Sequence, residues 1–415
     1  MKKIVFISVL LFLAVNIEAL TLKESIAKTL QNHPDIKVFL LKVQQAQKKV
    51  RSTQSAYLPQ LSLEAHYDAT RTYVFPQNGR FHTKDDSGWD AGGVLRQKIW
   101  DFGKTLTLID AGKKDEVIAK LSLQEAKALM VYRVKLLYGM MVVQKEAVAV
   151  MQKDLEAKEA YYKQALALVK QGLKTNADAT RFLSSVYAAK ERLAGAKSAY
   201  EKAKNSLALY MGEPIESDVK LQSDFLYSDL EMQNVKKSVL ENNYQLKLTK
   251  ENFAKSVLVH KATKSSHYGS FDAIATYTHF DTLNTYDAKS AGVVLSIPLY
   301  SGGRLLAEEQ QARIATQIAK EQEALTRLEI QEEVESLLID IKHFSQSIAA
   351  KKAQFDAAKA TKALLDGRYK EGLGTYIEIL DAQASMLAAK LGLLEAYYNK
   401  TTAIAKIDYL KGKTE

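Results

Sequence analysis

Residues 134–169, VKLLYGMMVVQKEAVAVMQKDLEAKEAYYKQALALV, decide how the rest of the chain is read. Val134, Leu137, Met141, Gln144, Val148, Met151, Leu155, Lys158, Tyr162, Ala165 and Val169 follow a three-four alternation, and nine of these eleven are apolar. A sustained 3.5-residue period marks a coiled-coil seam, because only that spacing keeps one apolar stripe turned towards a partner helix. Two hundred residues later the same spacing runs from Val334 through Ile341 and Ile348 to Tyr369, again with nine of eleven apolar, interrupted at Lys351 and Lys362. One very long helix therefore occurs twice.

Working outward, the first long helix spans roughly 104–171 and ends at QGLKTNAD, residues 171–178, where Gly172 suits a left-handed cap. Thr175 and Asp178 then open a return helix to about Met211 in a capping-box pattern. Upstream, Thr21 with Glu24 starts a helix expected to reach about Tyr57, ending or kinking near His33 at Pro34. After Pro59 the period changes to two. Leu61, Leu63, Ala65 and Tyr67 alternate with Ser62, Glu64, His66 and Asp68, the pattern of a strand with one apolar face. A loop over residues 75–88 is expected before a second strand through Val94, Leu95 and Ile99 to Trp100.

The plan then repeats. LENNYQLK (240–247) answers LQNHPDIK (30–37), and Phe271, Ala273, Ala275 and Tyr277 answer Leu61, Leu63, Ala65 and Tyr67, all at an offset of 210. Past a shorter hairpin loop the offset becomes 200: IPLYSGGR ends where IWDFGK does, and EGLGTYIEILDA answers QGLKTNADATRF. A constant offset that jumps only inside one loop establishes an internal duplication. The resulting division is a first repeat over 20–211 with its hairpin at 59–100, a connector over 212–228, and a second repeat over 229–415 with its hairpin at 268–300, its first helix restarting at Ser228 and Glu231.

Residues 1–19 fit a secretory signal peptide: Lys2 and Lys3, an apolar run from Ile4 to Val15, then Ile17-Glu18-Ala19. The 415 residues contain no cysteine, which excludes disulfides, thiolate metal sites and a lipid-bearing N-terminal cysteine. The formal charge of +10 is spread along helices in which acids and bases interleave, so no nucleic-acid footprint is expected. The seven histidines lack metal-ligand spacing, Gly302-Gly303-Arg304 lacks the phosphate-loop pattern, and no nucleophile elbow occurs. Neither an enzyme, a cofactor nor a metal site is expected.

A helix of about 68 residues is on the order of 100 Å long. The flanking helices are each about half of that, so two laid end to end match one long helix. Strands of about ten residues with alternating faces suit a bilayer, and Tyr67, Tyr277, Trp100 and Tyr300 stand near strand ends as an aromatic girdle would. An ordinary soluble sheet packed on a helix would show the same alternation in any one strand. Four strands, however, cannot close a barrel; two protomers would supply eight, and three would supply twelve, with twelve helical columns around an open lumen.

On the duplicated turns IWDFGK and IPLYSGGR and the tips QGLKTNAD and EGLGTYIEILDAQASMLAAK, the chain resembles the TolC-type outer-membrane channel proteins of efflux and type I secretion systems. The resemblance implies a mostly α fold with membrane β: duplicated coiled-coil helices forming a trimeric α-barrel in the periplasm, and four strands per protomer contributing to a 12-stranded β-barrel in outer-membrane lipid. It implies a homotrimer that works with a periplasmic adaptor and an inner-membrane transporter of RND, ABC or MFS type, and the missing cysteine places this chain among the unlipidated members. Carried over by position, Asp178 and Tyr369 match a closing pair at the periplasmic gate, Glu378 and Asp381 an acidic entrance ring, and Gly172, Leu173, Gly372 and Leu373 an adaptor-docking phrase. Gly374 stands where the family pattern can carry an arginine. The same residues have plainer readings: Asp178 and Glu378 as capping-box acids, Tyr369 as seam packing, the glycines as helix caps, and Lys351 and Lys362 as solvated or salt-bridged. A periplasmic adaptor or a secreted coiled-coil filament would also be exported and helical, but neither needs two helical hairpins with two separate β-pairs.

Overall fold

The computed structural model describes residues 20–216, 219–227, 229–231, 233–371 and 373–414. The expected signal segment, Ser228 and Gly372 lie outside the described residues. Each repeat begins with a short helix and a longer one: α1 (Leu22–Asn32) and α2 (Pro34–Gln54), then α5 (Val235–Asn242) and α6 (Tyr244–Ser265). Glu231 precedes α5 rather than opening it, because Asn234 adopts a left-handed φ of 60° and the helix starts only after it. The break between α1 and α2 falls at His33, in front of Pro34. The same break recurs before Tyr244, where no proline stands and the Asn243 side chain caps α6 by accepting from the Leu246 amide at 3.0 Å. Proline is thus not the cause of the interruption in both repeats.

The long helices are α3 (Lys104–Lys170) and α7 (Arg304–Lys370), each 67 residues and offset by 200 throughout. The return helices are α4 (Asn176–Met211) and α8 (Tyr376–Leu410). Both open with the expected capping boxes, Thr175 with Asp178 and Thr375 with Glu378. At both tips the chain leaves the long helix by a six-to-one closure: the Leu173 amide donates to the Leu168 carbonyl and the Leu373 amide to that of Arg368, each at 3.0 Å.

Two compact units are distinguished, and each draws on both repeats. Among the described residues, one comprises residues 20–36, Ala126–Asn242 and the stretch from Gln331 onward. Its core joins Val131, Val134, Tyr138 and Met141 of α3 to Leu207 and Met211 of α4 and to Val219 and Leu226 of the connector. The connector has little regular structure: a bridge from Leu221 to Leu20 and a 3₁₀ turn over Asp224–Tyr227. The Tyr138 hydroxyl ties these pieces together, donating towards the carbonyls of Leu20 (2.9 Å) and Gln222 (3.1 Å) and accepting from the Gln222 amide.

The other unit, Lys37–Glu125 with Asn243–Ile330, holds all four strands. They are β1 (Gln60–Gln77), β2 (Arg80–Trp100), β3 (Ser270–Asp281) and β4 (Thr285–Ser296), in one antiparallel sheet of order β1-β2-β3-β4. The two hairpins are therefore joined through β2–β3, with Leu95 opposite Ala275. The loop expected over residues 75–88 is strand. Asn78 (φ 54°) and Gly79 (φ 74°) make a two-residue turn, and seven pairs from Arg71↔Asp86 to Gln77↔Arg80 continue to it. An Asn-Gly turn with both residues left-handed matches the twist of flanking strands, whereas the polar composition of 75–88 suggests a loop. β4 stops at Ser296, leaving Pro298 and Tyr300 beyond the strand, since proline has no amide for the ladder. At the entry to α3, Phe102 (φ 54°) and Gly103 (φ 81°) turn the chain. The buried Asp101 carboxylate caps the helix by accepting from Thr105, and it also accepts from the Tyr57 hydroxyl at 3.0 Å.

Candidate functional site: the sheet faces and the helical tips

Residues directly paired across strands share a face. On one face the apolar run ends at Tyr67 on β1, Trp89 on β2, Tyr277 on β3 and Lys289 on β4. Beyond these residues the face is polar, with Asp281 accepting from the Trp89 indole at 2.9 Å and Asp287 bonded to His279 at 2.7 Å. This boundary crosses the hydrogen-bonded rows diagonally, as a level boundary must when strands tilt. The apolar side chains lie open: Leu61 is 78% and Leu63 82% exposed. The other face carries Glu64, His66 and Asp68 on β1 and Asp90 on β2, with Thr276 bonded to Ser290 across β3–β4 at 2.7 Å. β1 and β4 each keep one edge unpaired.

The helical tips lie within the other unit. Tyr369 is 1% exposed and packs with Tyr161, Ala165, Ala179, Phe182 and Ile379, its ring edge-on to those of Tyr161 and Phe182. Its hydroxyl is buried without a hydrogen-bond partner among the described residues. Burial, together with the nearby Asp178 charge, pushes the phenol up. Asp178 itself accepts from the Thr175 amide (3.2 Å) and hydroxyl (3.0 Å), so the two expected gate residues share one tip without bonding to each other. Glu378 likewise accepts from the Thr375 amide (2.7 Å) and hydroxyl (3.0 Å), and these bonds hold its carboxyl below the usual range. Asp381 lies exposed on the next turn of α8. Gly172 caps α3 with a φ of 72°, and Leu173 and Leu373 are 66% and 69% exposed. Lys362 is salt-bridged to Asp366, while Lys351 reaches across Gly392.

Three groups of contacts at or near the tips escape the sequence reading. Tyr161 of α3 donates to Asp366 of α7, which Lys362 also holds. Arg181 of α4 donates to the Tyr376 hydroxyl of α8 and lies 4.8 Å from the centre of that ring. A cation of the first tip thus links the two hairpins. Further along, the buried Asp154 carboxylate accepts from Gln383 of α8 (2.9 Å), Lys158 (3.2 Å) and Arg192 of α4 (3.3 Å). The repeat could not have shown these pairs, because the positions 200 residues away are Thr361, Leu166 and Gln354.

Residues 25–213 and 257–413 match the family model for outer membrane efflux proteins. The chain belongs to the outer membrane efflux protein family. Among its relatives is the Salmonella typhimurium protein named "Probable outer membrane lipoprotein SilC", 23% identical over 399 residues that cover 90% of this chain and 82% of that protein. The crystal structure of CusC superposes with a TM-score of 0.80 at 18% identity, covering 94% of this chain and 91% of that one. The outer membrane protein VceC of Vibrio cholerae also gives 0.80, at 16% identity, covering 94% and 96%. The fold is that of this family: mostly helical, with long paired helices and four antiparallel strands. SilC is described as a lipoprotein, whereas this chain has no cysteine to acylate.

Proposed function

We propose that the protein is a passive trimeric channel-tunnel of the outer membrane, through which an inner-membrane transporter and its periplasmic adaptor export their substrates. The observation that carries this reading is the open sheet: four strands with two free edges and an uncovered apolar face bounded by Tyr67, Trp89 and Tyr277. An unpaired edge and a bare apolar face are costly in water. Both are satisfied when three copies close twelve strands within lipid, apolar face outward and polar face towards the lumen. Residues 1–19 would direct its export, and a passive duct would need no catalytic group. Gly172, Leu173, Gly372 and Leu373 would dock the adaptor. Glu378 and Asp381, three copies of each, would give the entrance a negative field that favours cations.

At the gate, the unsatisfied Tyr369 hydroxyl beside Asp178 supports a closing pair, since a buried donor without an acceptor costs about 1–3 kcal/mol. Purified protein in a planar bilayer should give discrete channels of trimeric origin, and Tyr369→Phe with Asp178→Ala should raise their conductance. A soluble monomer without channel activity would sink the duct. Channels unaffected by the double substitution would sink only the gate.

A further inference from the structure

Past the pair Trp89↔Asp281, where β3 leaves the sheet, β1 and β2 continue alone to the Asn78–Gly79 turn. The seven pairs from Arg71↔Asp86 to Gln77↔Arg80 form a two-stranded ribbon about 25 Å long. The second hairpin has no counterpart, because β3 and β4 are joined by a short turn directly after Asp281. An irregularity between Asp68 and Arg71 lies on β1, so side-chain alternation along β2 carries each face of the sheet into the ribbon unbroken.

The two faces of the ribbon differ. The face continuous with the polar side of the sheet carries Arg71, Tyr73, Phe75, Arg80, His82 and Lys84. The Arg71 guanidinium lies 5.7 Å from the Tyr73 ring centre, and the Phe75 and His82 rings are 6.4 Å apart. Acids on this face stay at or below the ribbon's base: Glu64, Asp90, Asp68 (3.5 Å from Arg71) and Asp86 (2.7 Å from Lys84). From Lys84 outward the face has no acid, and among the described residues Arg80 and His82 have no ion-pair partner. The opposite face, continuous with the apolar side, presents Val74, Phe81, Thr83 and Asp85, with no base.

We propose that the ribbon is a cationic, aromatic lip at the outer mouth of the duct that binds soluble multivalent anions bearing phosphate or sulfate groups. The proposal rests on the duct reading, in which the polar face lines the lumen and three copies bring three lips around one mouth. Charge-assisted hydrogen bonds from exposed Arg and Lys to such groups are the strong kind, and neighbouring rings add an apolar floor. A lipid headgroup is the wrong source for the anion, because the lipid-side face of the ribbon offers Asp85 and no cation.

The test titrates inositol hexakisphosphate into the full-length, detergent-solubilised protein by calorimetry, and then adds it to one side at a time of a neutral-lipid bilayer holding the channel. Saturable binding is expected, weakening with salt, with current block from one side only. R80Q/K84Q should bind at least about tenfold more weakly and lose the block, since each copy loses two cationic hydrogen-bond donors. Both side chains are exposed, so the variant should still fold and form channels without the anion. Absence of binding, equal binding by the variant, or block from both sides alike would overturn the lip. Binding without any conductance would instead count against the duct, which keeps the two failures apart.

Discussion

α3 and α7 are the same helix by length and by seam, yet their surroundings are unlike. α3 buries Val131, Val134, Tyr138, Met141 and Val142 against α4 and the connector of its own chain, and ties Asp154 to both α4 and α8. α7 buries Ile330, Val334, Ile341 and Tyr369, but leaves Ile314, Ile318, Leu325, Leu328, Ile339 and Leu364 exposed. A coiled-coil period states that a helix wants a neighbour; it does not state which chain supplies one. For α3 the neighbours are internal. For α7 an apolar stripe of that size on a monomer marks an interface, which fits a second copy in the proposed trimer.

The sharpest way to break this contrast is to charge the exposed stripe. Leu325→Asp with Leu328→Asp should leave helical content intact and weaken assembly by at least about a hundredfold. Burying each leucine is worth about 1.5–3 kcal/mol, and a carboxylate in its place costs more. Sedimentation showing an unchanged oligomer would mean that the stripe faces water and the contrast carries no assembly signal.

Next in size is Asp154→Ala, which leaves Lys158 buried without its partner and should cost about 3–5 kcal/mol, read as an earlier loss of helical circular dichroism on heating. The matching change in α7, Gln354→Ala at an exposed position, should stay within about 0.5 kcal/mol. Equal losses at the two sites would remove the distinction between an internally covered helix and an open one.

The smallest effect compares the tips. Hydrogen bonds from Thr375 lower the folded-state pKa of Glu378, so the stabilisation they bring is complete above its ordinary value of 4.5 and is lost as pH falls through the lowered one. Amide exchange at the start of α8 should accelerate over that acid range, while Glu378→Gln, which keeps a capping side chain without the charge, should flatten the profile. An identical profile in the variant would assign the acid sensitivity to another group.

Much of the fold was legible because it is local. The 3.5 and 2.0 periods located the long helices and the strands. Thr175 with Asp178 and Thr375 with Glu378 announced the return helices, and the repeat offset aligned the two halves. The Asn78–Gly79 turn is equally local, but the polar stretch around it reads as a loop, and only the pairing of Arg71–Gln77 with Arg80–Asp86 makes it a ribbon. The candidate site was less legible. Asp178, Tyr369, Glu378 and Asp381 were reached by resemblance, and the structure adds that both Asp178 and Glu378 already serve as caps.

By itself the sequence determined the lengths of the elements, their order, their duplication and the face each strand would turn to an apolar phase, since all of these follow from near-neighbour chemistry. Only the tertiary structure decided that β2 pairs with β3 into a single open sheet, that Arg181 reaches Tyr376, that Tyr161 reaches Asp366, and that α7, outside its buried seam, leaves Ile314, Ile318, Leu325 and Leu328 open. Those pairings join residues 171 to 205 positions apart. They depend on the register in which helices and strands meet, and no local period encodes that register.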